Sequence, residues 1–200
     1  SLYILGLLVT FGVRTWAHHQ ATGSSGFRGL SGRPGSAPWW GGVLFAAALV
    51  LTALGLVLAA TGAVPAVPLS AAVVWAGLVV ALTGFVAVVL AQSGMGTSWR
   101  IGVDPTEHTA LITGGLFAIA RNPIFTAMCA ALAGLVVMTP TVLTVAGLVC
   151  LVVAVQLQVR VVEEPYLLAT HGETYAAYAA RVGRFVPGVG RLHTSNPVVR

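Results

Sequence analysis

Arg160, Glu163 and Glu164 stand together where a long apolar run ends, a dense group of charge in a chain with only five acidic residues. Spacings of three and four place them on one face of a helix. A carboxylate pair there can hold a ribose diol or a cationic amine, and an arginine beside it can bind a carboxylate or orient an anionic nucleophile. The alternative is a surface ion pair worth little energetically. Against that, ionisable groups at membrane depth are costly and usually carry function. Gly172, Tyr175, Tyr178, Arg181 and Pro187 follow at even intervals. Tyr175 and Tyr178 are one turn apart, and form either an interfacial anchor or an aromatic wall for a cation or a purine.

A second group precedes them in the chain. In Arg121-Asn122-Pro123, proline suits the first helical position and asparagine the N-cap, so a helix is expected to start beside Arg121. Its free N–H groups and positive dipole end make an anion site; the plainer reading is a cap with a snorkelling arginine. His18, His19 and His108 lack ligand spacing, and no metal site is expected. Cys129 and Cys150 fall inside apolar runs and read as small packing residues rather than a redox or metal pair.

The elements that position these groups must be membrane helices. The chain is 57% hydrophobic and 8% charged, where a soluble domain carries roughly a quarter charged residues. Its length of 200 residues suits a single membrane domain. Apolar runs predict spans at about 2–13, 41–61, 69–92, 123–138 and 140–162. The first is short and reads as a span whose beginning lies upstream of Ser1; it lacks the basic flank and cleavage site of a signal sequence. Residues 17–38, rich in Gly, Ser and Pro, form a loop, and Trp39 and Trp40 mark an interface. Gly77 and Gly84, seven apart, share a helix face and permit close approach of a neighbour. Thr139-Pro140-Thr141 is the turn of a helical hairpin. Residues 163–182 are amphipathic, with a break near Gly172 and a capping box at Thr170-His171-Gly172-Glu173. Residues 183–200 read as a loose tail.

The fold class expected is therefore an all-α integral membrane bundle of about five transmembrane helices with a C-terminal cytoplasmic amphipathic helix. Five spans put Arg14, Arg28, Arg33, Arg100, Arg121, Arg160 and the C-terminal arginines on one side. By the positive-inside rule that side is cytoplasmic and the N-terminus is outside. The ten basic residues are all arginine, scattered singly between apolar runs, which excludes a nucleic-acid patch.

Thr113-Gly114-Gly115-Leu116-Phe117 followed by Arg121-Asn122-Pro123-Ile124-Phe125 resembles the first conserved block of the isoprenylcysteine carboxyl methyltransferase and phospholipid methyltransferase superfamily. Arg160, Glu163, Glu164, Leu167, Gly172, Tyr175, Tyr178, Val182 and Pro187 resemble its second block, and Trp99-Arg100-Ile101-Gly102 a segment preceding the first in bacterial members. The resemblance covers about 98–187 and implies a bacterial inner-membrane enzyme. Its cofactor would be S-adenosylmethionine, held on the cytoplasmic side, with a lipophilic small molecule or lipid entering from the bilayer as methyl acceptor. It implies a cofactor site lined by Leu111, Ile112, Phe117, Arg121, Asn122, Pro123, Ile124 and Phe125, with Glu163 or Glu164 as a cofactor ligand. Tyr175 and Tyr178 would complete that site, and Arg160, the catalytic candidate, would face the substrate or the transfer centre. Phe117 and Phe125 stand where the family usually has tyrosine, and Asn122 where histidine is common, so one cofactor hydrogen bond is expected to be made otherwise. The competing readings are a nicotinamide-dependent membrane reductase, since sterol reductases resemble the superfamily in their C-terminal region, and a membrane protein that keeps the fold without catalysis.

Overall fold

With few polar side chains to face water, the chain resolves into helices whose backbone groups satisfy one another. A computed structural model of the protein describes residues 2–13, 15–16, 19–20, 32–65, 67–95 and 110–192. The bacterial-type segment Trp99-Arg100-Ile101-Gly102 lies outside them, as do Arg14, Arg28, Arg100, His18, His108 and residues 193–200. Among the described residues there is no strand, and the architecture is an all-helical membrane bundle. Helix α1 is Leu2–Leu7, continued by a π-helical stretch Leu8–Val13; α2 is Ala37–Ala60, α3 Ala71–Gly94, α4 Pro123–Met138 and α5 Val142–Leu157. A second π-helical stretch, Gln158–Glu163, joins α5 to α6, Glu164–Arg181.

Ala37–Ala60, Ala71–Gly94 and the continuous Val142–Arg181 are long and apolar enough to cross a membrane, while Leu2–Val13 and Pro123–Met138 are apolar but shorter. Large apolar side chains such as Val57, Trp75, Val86, Leu90 and Val149 are exposed on the bundle surface, where hydrocarbon is the fitting solvent. Helix α2 starts four residues earlier than the sequence predicts, because Ser36 caps it by accepting from the Trp39 N–H at 3.4 Å and Pro38 occupies its first turn. Trp39 and Trp40 thus sit inside that turn, packed edge to face. The expected turn at Thr139-Pro140-Thr141 is present. It is locked by a capping box in which Thr141 and Thr144 each accept the other's backbone N–H, at 3.1 and 3.0 Å.

Helix α3 packs chiefly on α4, and α2 on α5. Small residues allow the first contact: a Cβ on Gly84 would lie 2.5 Å from the backbone nitrogen of Ala131, one on Gly77 2.8 Å from the carbonyl oxygen of Gly134, and one on Gly134 would strike the Ala81 backbone. The shared face of Gly77 and Gly84 is therefore a helix–helix seam. Gly84→Val is expected to force α3 and α4 apart and to cost about 2 kcal/mol or more, lowering the melting temperature in detergent. Gly94→Ala, where a Cβ meets nothing within 4 Å, is the silent control. Helix α1 is tied in by the Tyr3 hydroxyl, which donates to the Leu49 carbonyl at 2.8 Å, and by Gln92, whose amide donates to the Thr10 carbonyl at 3.1 Å. Cys129 and Cys150 are free thiols packed against the core, as expected of packing residues.

All the chemistry-bearing ends fall together. The C-terminal end of α3, the start of α4 and the end of α5 lie at one end of the bundle, the other end being closed by the connection after α2 and the Thr139–Thr141 turn. The apolar part of the long α5–α6 run, 142–162, is by itself about the length of a span. From Glu163 onward the helix is polar and stands beyond it.

Candidate active site

Glu164 is the centre of the polar cluster. It is buried at the first turn of α6, pairs with Arg121, whose Nη2 lies 2.8 Å from Oε1, and accepts two hydrogen bonds from Arg184, Nε to Oε1 at 2.7 Å and Nη2 to Oε2 at 2.9 Å. The Arg184 pair is a bidentate fork, the strongest geometry for such a contact, and it raises the Arg184 guanidinium above its ordinary pKa. Arg121 Nη2 also donates to the Gly190 carbonyl at 2.8 Å. The Arg121 side chain is only 1% exposed, yet its Nε and Nη1 are buried with no hydrogen-bond partner among the described residues. The engaged nitrogen of this guanidinium is Nη2, which leaves one unpartnered nitrogen on either side of it. The guanidinium lies 5.9 Å from the centre of the Tyr175 ring.

This arrangement corrects the expectation of a loose tail over the part described. Residues 182–192 fold back across the start of α4. Arg121 and Asn122 donate their backbone N–H groups to the carbonyls of Gly183 and Arg184 at 2.9 and 3.1 Å, and Ala120 and Gly183 form a parallel β-bridge. Thr126 Oγ1 donates to the Phe185 carbonyl at 2.8 Å, and Leu192 N–H returns to the Ala179 carbonyl at 3.0 Å. The tail also takes the Asn122 side chain. Its Nδ2 donates to the Arg184 carbonyl at 3.0 Å, and its φ and ψ of −125° and 59° support no side-chain cap. Pro123 opens α4 and Asn122 holds the N-cap position as expected, its carbonyl accepting from the Thr126 N–H at 3.1 Å, but its side chain anchors the strap and makes no capping bond. Arg121 does not snorkel either; it is buried.

The single-face geometry of Arg160, Glu163 and Glu164 does not hold. The intervening turns are π-helical, with wider i→i+5 bonding, and the three side chains diverge. Arg160 is exposed and its Nε donates to Gln156 Oε1 at 2.8 Å; it makes no ion pair with either glutamate. Glu164 turns into the cluster. Glu163 is half-buried, with Gln158 Nε2 at 3.5 Å from its Oε1. Burial pushes the Glu163 carboxyl up to about 7, the Gln158 contact opposing and the nearby Glu164 charge adding to the shift.

Tyr175 and Tyr178 are buried, not interfacial anchors, and pack edge to face with ring centres 6.1 Å apart. The Tyr178 hydroxyl donates to the Phe117 carbonyl at 2.6 Å, pinning the short 3-10 turn Gly115–Ala118 that leads into Arg121. Burial raises both phenols to about 12. Tyr175 sits within the fields of Arg121, Glu164 and Glu163. Leu111 packs against this tyrosine pair, Ile112 is half-buried beside it in sequence, and Ile124 and Phe125 pack on the bundle core. Phe117 is buried, and the group it contributes is its backbone carbonyl, which accepts from Tyr178. The break at Gly172 is present, at φ +50° and ψ −126°, a conformation suited to glycine. No side-chain bond of Thr170 caps the helix there among the described residues.

Beside the cluster runs a groove of about 390 Å³, almost wholly apolar, between α3, the start of α4 and the returning tail. Val80, Thr83, Gly84 and Pro123 line it, with Ala120 and Phe185 at the end nearest Arg121 and Arg184. Sequence reasoning missed Arg184 and Gly190 altogether. The signal present was the turn-forming Val186-Pro187-Gly188-Val189-Gly190, which returns the chain so that the Arg184 N–H meets the Val189 carbonyl at 2.7 Å.

Residues 72–174, more than half of the chain, match the family described as phospholipid methyltransferase. No curated protein and no solved structure matches it. The matched region runs from α3 through Gly172; it contains Arg121, Arg160, Glu163 and Glu164 and stops short of Tyr175, Tyr178 and Arg184.

Proposed function

The chain belongs to the phospholipid methyltransferase family, and from that premise we propose that this membrane methyltransferase takes its methyl group from S-adenosylmethionine and delivers it to a lipophilic acceptor. The observation that carries the reading is the half-used guanidinium of Arg121, with two buried donor nitrogens that have no partner among the described residues. A half-buried carboxylate with a raised pKa at Glu163, the sequence neighbour of its partner Glu164, supports it. An unmet buried donor costs roughly 1–3 kcal/mol, which an anionic ligand group would recover.

The residues fit such a cofactor. Its carboxylate would take an unpartnered nitrogen of Arg121, and its ammonium or ribose diol would meet Glu163. Glu163 is the favoured ligand of the glutamate pair, because both Glu164 oxygens are already held by arginines. The Tyr175 ring, with Tyr178 behind it, gives a flat apolar wall suited to a purine or a sulfonium. Leu111, Ile112, Phe117, Asn122, Pro123, Ile124 and Phe125 would complete the cofactor site in this reading, and of these Leu111 packs against the tyrosine pair. The chemistry S-adenosylmethionine supplies is one activated methyl on a sulfonium, and its transfer needs in-line approach with water excluded rather than a protein nucleophile. Arg160, exposed where the apolar run ends, is placed by this reading at the acceptor's polar end. The apolar groove beside Pro123 would take its hydrocarbon.

The same reading sets the site on the cytoplasmic side. Arg33, Arg121 and Arg160 all fall at the site end of the bundle, and the connections at the other end carry no charged side chain, as the positive-inside rule requires of a cytoplasmic face. The test is ligand choice by the purified, folded protein. S-adenosylmethionine is expected to raise its melting temperature and reduced nicotinamide dinucleotide phosphate to leave it unchanged. Stabilisation by the dinucleotide alone would transfer the protein to the reductase reading.

A further inference from the structure

We propose that Arg184 is a positioning residue that aims an unpartnered nitrogen of Arg121 at the carboxylate of the cofactor, acting through Glu164. The inference rests on the proposed use of S-adenosylmethionine and names the group that makes its carboxylate subsite. Arg184 lies beyond the region matched to the family.

A guanidinium offers five N–H bonds in one rigid plane, so the nitrogens already bonded determine where the others point. In Arg121 the engaged nitrogen is Nη2, which donates to the Gly190 carbonyl and pairs with Glu164 Oε1, both at 2.8 Å. Both of these partners are set by the tail that carries Arg184. The Arg184 fork takes Glu164 Oε1 and Oε2 at 2.7 and 2.9 Å, leaving that carboxylate one orientation in which to meet Arg121. The backbone on either side of Arg121 is fixed by the same strap, through its own N–H to Gly183 and the Asn122 bonds to the Arg184 carbonyl. Arg184 therefore holds both the side chain and the main chain of its target. Its own nitrogens Nε and Nη2 are spent on Glu164, and it need not touch the ligand. The second arginine also offsets the Glu164 charge. Without it, Glu164 would be free to swing toward the Arg121 nitrogens that the ligand requires, and would compete with the ligand carboxylate for them.

Binding of two probes separates positioning from simple support of the fold: S-adenosylmethionine, and its decarboxylated analogue, which lacks only the carboxylate. The wild-type protein is expected to bind the first about 10–100-fold more tightly, the range of one charge-assisted contact. Arg184→Ala should bring the two affinities to within about threefold of each other by weakening S-adenosylmethionine, with the analogue little changed. Arg184→Lys keeps the charge but loses the fork, and should lower the ratio by about threefold or more; it decides the matter if the alanine variant does not fold. A ratio unchanged in the folded variants, or both affinities falling in parallel, overturns the proposal. Wild-type protein that binds both probes equally also overturns it while leaving the methyltransferase reading standing. Wild-type protein that binds neither removes the reading itself, and this inference with it.

Discussion

Glu164→Ala is expected to destabilise the protein by about 3–5 kcal/mol, the cost of stranding buried charge by removing one partner. The substitution leaves Arg121, with a side chain 1% exposed, and Arg184, 15% exposed, facing each other with no counter-charge. Arg121 already carries two unmet donors, so it has little capacity to absorb a further loss. The strap across the start of α4 should open first, because its side-chain tie to α6 runs through this carboxylate. Denaturant or thermal unfolding in detergent measures the loss, and limited proteolysis within 182–192 reports the local opening. Glu164→Gln keeps an acceptor oxygen and should fall between wild type and alanine. A variant within about 0.5 kcal/mol of wild type, the range of ordinary surface changes, would mean that Glu164 is not the keystone of the cluster.

The second large effect belongs to Glu163. If its carboxylate accepts from the ammonium or ribose of the cofactor, Glu163→Gln should weaken S-adenosylmethionine binding about 10–100-fold at pH 8, the worth of one hydrogen bond to a charged group. The dependence on pH follows from the carboxyl being held up to about 7 by burial. Below that value the group is protonated and cannot accept from a cation without releasing a proton. Wild-type affinity should therefore rise with pH by up to about tenfold per unit below 7 and level off above it. Folding stability should change in the opposite sense. Between the ordinary value of 4.5 and about 7 the folded protein holds a proton that the unfolded chain has released, so this group's contribution to stability declines as pH rises through that window. Glu163→Gln should flatten both profiles. Equal pH dependence in wild type and variant would detach Glu163 from the ligand.

Much of the architecture was legible because membrane helices announce themselves by length and composition. The start of α4 at Pro123 and its end at Met138 follow from one proline and one Thr-Pro-Thr turn, and the α3–α4 seam from glycines seven apart. The family was legible from two short blocks. What could not be read was how the blocks meet. Glu163 and Glu164, adjacent and so about 100° apart around the helix, meet different partners, and the π-helical stretch that ends at Glu163 alters the register to Arg160 that spacings of three and four assume. The diversion of the Asn122 side chain from capping depends on the Arg184 carbonyl, 62 residues away, and no local propensity encodes that. The tail looked loose because it is short, rich in glycine and not helical. Its order comes from main-chain bonds to Arg121 and Asn122 and from one bidentate arginine, all of them long-range. The turn-forming stretch 186–190 was the sequence-level pointer toward Arg184; the need of the deeply buried Glu164 for a cationic partner emerged only with the fold.

Titration calorimetry of S-adenosylmethionine into the purified, folded wild-type protein tests the central claim most directly. The Arg121–Glu163 site predicts saturable one-to-one binding in the micromolar range, weakened by Glu163→Gln. No heat of binding from protein shown to be folded, or binding that Glu163→Gln leaves untouched, would contradict it.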